Sequence, residues 1–437
     1  LSTALPFFKH PPVRDKADAR ASNPQGWARS ARGALLKASQ AERRALDSGW
    51  VMRDIPFSSR YQNRRKARVL FGDDADRYAR LYSVGDPLAD DLVVWIDGAG
   101  ERARAQLEQA LRGGIDSVTQ PDPALTRFFE RAETLPAWVD FEQMKVGALA
   151  YQRFGIFGML VLSAWSLING YHSSAAVKPL AFTGQLRHNT QRRLAETARF
   201  VSEASQVDGL RRGRPGWEIS VRVCLIHAHV RRACLDSEAW RTEDWGLPIN
   251  QADMFGTLLE FSLLMMDGAQ RLGFSLTANE REAILAMWRY CGYLSGVDPW
   301  LLEQLGSEDA TRKMADLLRL IQPGPDADSL ALTEQLLRVP GQNAKGKGPP
   351  MLAVAVSRFH NGLARALNGH AIADDLGIPN DLWQYSIYPV RAAVAPVEWF
   401  RRRVPGANRL AAHIGNSAIR GDLSRILRGA EPSFTIS

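Results

Sequence analysis

Val221–Arg232, "VRVCLIHAHVRR", is the stretch from which the rest of the chain can be read. On a helix, the neighbours of His227 at −4, −3, +3 and +7 are Val223, Cys224, Val230 and Cys234. Residues at those offsets share one face, so His227 lies in a continuous apolar stripe. His229 falls about 200° away, beside Arg222, Leu225 and Arg232. Two imidazoles so placed cannot hold one metal from the same face. His227 is expected to point into the core and His229 away from it, with Arg231 one turn after His227.

Outward from this stretch the pattern stays helical. Apolar residues recur at three- and four-residue spacings in Gln25–Gly49, Arg102–Gly114, Gln191–Ser205, Asp253–Gly273 and Ala278–Val297. "TAN" before Glu280 and "NQAD" before Met254 supply capping side chains. Clear alternating strands are scarce and no internal repeat is visible. The expectation is an all-α protein: one large helical domain over residues 81–437, preceded by a basic, irregular extension over residues 1–80. Breaks are expected at Asp208–Trp217 and at Arg338–Pro350, the second as a mobile surface loop rich in Gly, Lys and Pro.

Several motifs fail on context. "VVWIDGAGERA" (Val93–Ala103) has the glycine spacing of a dinucleotide fingerprint, but no second strand ending in an acidic residue follows. A helix–turn–helix junction is the better reading. There is no His-Glu-x-x-His, no paired Cys-x-x-Cys and no calcium loop. His360, His370, Asp374 and Asp375 are scattered. The basic clusters Asn63–Arg68 and Arg401–Arg403 lack the interleaved aromatics of a nucleic-acid surface, so no nucleic-acid partner is expected.

The chain has 437 residues, a net charge of +8, and 45% hydrophobic and 23% charged residues, the balance of an ordinary globular protein with a sizeable core. Its three cysteines, Cys224, Cys234 and Cys291, do not make a disulfide framework. Cys224 and Cys234 would lie about 15 Å apart along one helix. The start, "LSTALPFFKHPPVRDK", lacks the apolar core of a secretory leader. A cytoplasmic protein, or one exported after leader removal, would both fit. The longest apolar run, Phe154–Gly170, is shorter than the roughly 20 residues a membrane span needs, so a buried helix and no transmembrane segment are expected.

A core histidine is most often hydrogen-bonded packing. His227 followed by Arg231 also suits a flat iron-bearing cofactor with carboxylate edges: neutral imidazole for the iron, guanidinium for a propionate. Without a Cys-x-x-Cys-His sequence such a haem would be non-covalent, of b type.

Five segments in order then carry a resemblance. They are Gly85–Gly98, Thr183–Val201, the opening Val221–Arg232, Trp245–Ser262 and Met287–Leu302. In these the chain resembles the latex-clearing protein superfamily of haem-b oxygenases, which includes the bacterial rubber oxygenases. The resemblance covers most of the chain after about residue 84. It implies a helical domain enclosing one haem b, dioxygen as co-substrate, and a hydrophobic small-molecule or polymeric substrate cleaved at carbon–carbon double bonds. It places His227 at the proximal iron ligand and Arg231 at a nearby cation. The family's Arg-x-x-Lys-Thr segment falls on Arg193, Leu194, Ala195, Glu196 and Thr197, so Arg193, Glu196 and Thr197 are the candidate catalytic residues.

Two departures bear on the reaction. Glu196 stands where the rubber oxygenases carry lysine, and Val177, beside Lys178, where they carry a glutamate. The expectation is therefore a haem-dependent oxygenase acting on an apolar, olefinic or isoprenoid substrate, with weak polyisoprene cleavage. A peroxidase-type oxidase using Glu196, or a non-catalytic haem-binding or sensor protein, remain as alternatives.

Overall fold

A computed structural model describes residues 57–182 and 185–427. Among them the secondary structure is helical and no strand occurs. The chain divides into two units, Leu1–Pro56 and Phe57–Ser437. The helical unit thus starts earlier than residue 81. Arg64–Phe71 and Asp73–Arg80 are helices, and Tyr61, Ala67, Ala75 and Tyr78 are buried in the core. Their basic composition hides this, because Arg60 is itself buried, held by Asp253 at 2.6 Å and stacked 4.0 Å over Tyr82. The expected helix at Gln25–Gly49 lies outside the described residues.

Local signals place the helix ends well. Thr277 and Glu280 form a reciprocal capping box at the start of Ala278–Leu294, and the Asn250 side chain accepts from the Asp253 amide at the start of Gln251–Phe261. The Val93–Ala103 stretch is the junction between the helices Pro87–Ala99 and Glu101–Gly113. Gly100 turns the chain there at φ 63°.

Two expectations are corrected. Asp253–Gly273 is not one helix, because Ser262 breaks it (φ −109°, ψ −85°) into Gln251–Phe261 and Leu263–Arg271. The expected loop at Arg338–Pro350 is mostly helix. Ala327–Ala344 runs through Pro340 because Leu332, Leu336, Leu337 and Val339 are buried, and that burial outweighs the breaker.

The Phe154–Gly170 run is interior helix with a wider turn at Leu162–Ser166. No single helix among the described residues is long and apolar enough to cross a membrane. Phe141–Gln152 and Gly155–Tyr171 reach that length only together, bent by 84° at their break.

Six helices frame the interior around His227. The Pro215–Leu235 helix packs on Gln185–Ala204, Pro87–Ala99 and Ala278–Leu294. Leu167–Tyr171 packs on Gln251–Phe261.

Candidate functional site

His227 sits at mid-length on the Pro215–Leu235 helix, in the stripe with Val223, Cys224 and Val230. Neither ring nitrogen has a hydrogen-bond partner among the described residues. Nδ1 is sealed from solvent, while the residue as a whole stays partly accessible. Burial pulls its pKa down to about 4, helped by the positive charges of Arg231 and Arg193. The imidazole is therefore neutral at physiological pH, the form that binds a metal.

His229 faces elsewhere. Its Nδ1 lies 3.9 Å from Asp97 of the Pro87–Ala99 helix, and burial lowers its pKa. The two histidines do part company as the helical angle requires.

Arg231 is buried and held on the side of Pro87–Ala99. Its Nε donates to Asp90 at 2.9 Å and its Nη1 to the Ile249 carbonyl at 2.6 Å. Burial pushes Asp90 up to about 6 even against the Arg231 charge. Gly85 makes room for the pair, since a Cβ there would lie 2.9 Å from both Arg231 Nε and Asp90 Oδ2. Next to it Cys224 donates to Asp86 at 3.1 Å, and Asp86 also takes Arg131 at 2.8 Å. All three cysteines are buried and free.

Gln185–Ala204 carries Arg193, Glu196 and Thr197, each half-buried, and brings Arg193 toward His227. Glu196 is paired with Arg192, one turn back, at 3.0 Å. Arg193 lies within electrostatic reach of His227, Glu196 and Tyr171. Val177 is buried, and Lys178 turns to Asp326 and Asp328, at 2.6 Å from the latter.

One carboxyl escaped the sequence reading. Glu260, at the end of Gln251–Phe261, has no hydrogen-bond or ion-pair partner among the described residues. Burial pushes its pKa up to about 8, with Asp253 adding to the shift. It lies against the Gly170 backbone, where a Cβ would come within 2.2 Å of its Oε1, and it is felt by Tyr171 next door. The sequence did hold a signal: Glu260 is the lone charge between Met254 and Met266.

Comparison with known proteins bears directly on this arrangement. The model of the ER-bound oxygenase mpaB/B'/rubber oxygenase catalytic domain matches residues 151–399, more than half of the chain. The chain belongs to this oxygenase family. The matched span contains every residue just described from Tyr171 to Glu260. Within the family, the rubber oxygenase of Streptomyces sp. (strain K30) is 26% identical over 257 residues, which span 58% of this chain and 60% of that protein's length. The solved structure of latex clearing protein in the closed state superposes with a TM-score of 0.55 at 22% identity, over 78% of this chain and 91% of that one. At that identity the likeness is one of fold.

Residues scattered along the sequence stay scattered as ligands. His360 bonds Ser163 at 2.9 Å, and Asp375 takes His172 at 3.0 Å. Among the described residues no three His, Cys, Asp or Glu side chains group to hold a metal ion. A macrocyclic iron needs only one protein ligand, so an interior histidine with neither ring nitrogen bonded is the feature to weigh.

Proposed function

We propose that the chain is a haem-b-dependent oxygenase that uses dioxygen on an apolar, unsaturated substrate of isoprenoid type, by oxidative cleavage of a C=C bond. One observation carries the reading: His227 is a neutral, unbonded, interior imidazole within the matched oxygenase domain. His229 Nε2 and His360 Nδ1 are also buried and unbonded, but of the three only His227 has neither nitrogen beside a protein partner among the described residues. The donor set fits the group. Haem, when bound, supplies the oxygen-activating chemistry.

The chain's own residues would do the rest. His227 would hold the iron. Arg193, already desolvated, supplies positive charge in the same interior, and Arg231 adds a second guanidinium one turn after His227. Glu260, neutral at pH 7, holds a proton on its carboxyl that it can deliver to a developing oxygen anion. Glu196 would be a second acid–base group on the same helix as Arg193, paired with Arg192 at 3.0 Å. The apolar stripe that carries His227, with Val223, Cys224 and Val230, favours a hydrocarbon substrate.

The purified protein is expected to show a Soret band. His227→Ala should lose most of it and His229→Ala should keep it. Oxygen uptake with polyisoprene oligomers and with small isoprenoid olefins identifies the substrate class, and the smaller olefins are expected to be the better ones. A colourless protein reconstituted with haemin that shows no histidine-ligated spectrum overturns the reading.

A further inference from the structure

The helix Ile387–Arg401, "IYPVRAAVAPVEWFR", touches the body through a narrow arc of Val390, Val394, Glu398 and Arg401. At about 100° per residue the opposite arc carries Tyr388, Ala392, Pro396, Trp399 and Phe400. That arc is open to solvent: Tyr388 is 63% exposed, Trp399 59% and Phe400 54%. The apolar surface continues before and after it. Leu382 is 81% exposed and Tyr385 stacks on Tyr388, while Leu410 and Ile414 are exposed one turn apart on the next helix, Ala407–Leu427. Elsewhere on the protein the aromatic rings are mainly buried, so this concentration is local. A contiguous apolar surface of this kind marks a binding face.

Charge says what it binds. From residue 382 to 421 the sole acidic residue is Glu398, which is buried and held by Arg401 at 2.7 Å. Every outward charge is positive. Arg391, Arg402, Arg403 and Arg409 have no acidic partner among the described residues, and Arg403 lies 4.2 Å over the Trp399 ring. Aromatic rings and arginines flanking an exposed apolar helix match a bilayer interface, where rings sit at headgroup depth and cations meet lipid phosphates. A second copy fits less well. A two-fold contact through this face would bring the four arginines against their own images. An uncharged hydrocarbon particle would leave the arginines without a role.

We propose that Leu382–Ile414 is a monotopic docking surface that seats the protein on an anionic lipid bilayer, with the Ile387–Arg401 helix lying in the interface plane. The test is co-sedimentation of the full chain with phosphatidylcholine vesicles with and without phosphatidylglycerol. Binding is expected with phosphatidylglycerol, weakening as salt rises, and about tenfold or more weaker without it. Trp399→Glu and Tyr388→Glu should each lower partitioning at least tenfold, and Arg402→Glu with Arg403→Glu should remove the preference for anionic lipid. All these side chains face solvent, so circular dichroism and melting should stay as in the parent chain. Absence of binding to phosphatidylglycerol vesicles overturns the proposal, as does equal, salt-insensitive binding to neutral vesicles. So does a lipid-free dimer that Trp399→Glu converts to a monomer in light scattering, because that makes the face a contact between copies.

Discussion

Arg231 shows how helical spacing can place a side chain while its protein partner stays hidden. Helical spacing sets it one turn past His227, and the structure keeps it there, but its donors go to Asp90 and the Ile249 carbonyl. Nothing in a linear sequence couples residue 231 to residue 90, so only the fold could reveal that pair. Arg231→Ala would leave a partly exposed carboxylate and a carbonyl without their donor, at a cost of about 1–2 kcal/mol in urea unfolding. Asp90→Asn with Arg231→Met should recover part of that loss. Glu260 supports a prediction in pH. Its folded pKa, about 8, lies above the ordinary carboxyl value of 4.5, so the native state holds the proton more tightly than the unfolded chain. The stabilisation is full below the unfolded value and fades as pH rises through the folded one. Tyr171 faces it from the neighbouring helix and Asp253 from its own. Tyr171 keeps its charge state over that range. Glu260→Gln should therefore leave Tm nearly unchanged at pH 5 and raise it at pH 9. Parallel Tm profiles for the two proteins would place Glu260 in water.

Among the helices, the sequence is most informative where the signal is local and least where packing overrides it. The capping box at Thr277 and the glycine turn at Gly100 could be read from a few residues, because their cause lies within those residues. Pro340 inside Ala327–Ala344 could not, since the reason is burial of leucines against another helix. Close helix packing is equally invisible from one strand of sequence. Gly147 lies where Phe141–Gln152 meets Ala278–Leu294, and a Cβ there would stand 2.3 Å from the Ala283 carbonyl oxygen. Gly147→Ala gains up to about 1 kcal/mol in helix propensity. Against that, two helices must separate or shift, which costs about 1–3 kcal/mol. The net expectation is destabilisation, read as a lower urea midpoint at unchanged slope. Thr277→Ala, which only removes a cap, should cost about 1 kcal/mol. The candidate site divides along the same line: His227 was legible because its stripe is local, whereas Glu260 needed Gly170 and Tyr171 from a separate helix.

Across the whole molecule, the C-terminal helix is tied to the helix that presents Arg193, Glu196 and Thr197. Ala407–Leu427 packs on Gln185–Ala204, Phe141–Gln152 and Gly155–Val161. The contact is backbone on backbone. A Cβ on Gly415 would fall 2.2 Å from the Gln152 carbonyl oxygen, and Gly155 approaches Gly415 from the other side with φ 52°. Beside it Gln206 and Asn416 exchange hydrogen bonds at 2.9 Å in both directions. A larger side chain at 415 cannot be absorbed by a rotamer change, because what it meets is backbone. Gly415→Leu should therefore lift Ala407–Leu427 off the body and free one face of Gln185–Ala204. Amide exchange should then speed up in both helices and not in the C-terminal one alone, with Tm lowered by several degrees. His227, which has Arg193 of Gln185–Ala204 within electrostatic reach, should lose part of its surroundings. Faster exchange confined to Ala407–Leu427 would mean that Gln185–Ala204 is held by Pro215–Leu235 and Ala327–Ala344, and that the C-terminal helix does not bear on the site.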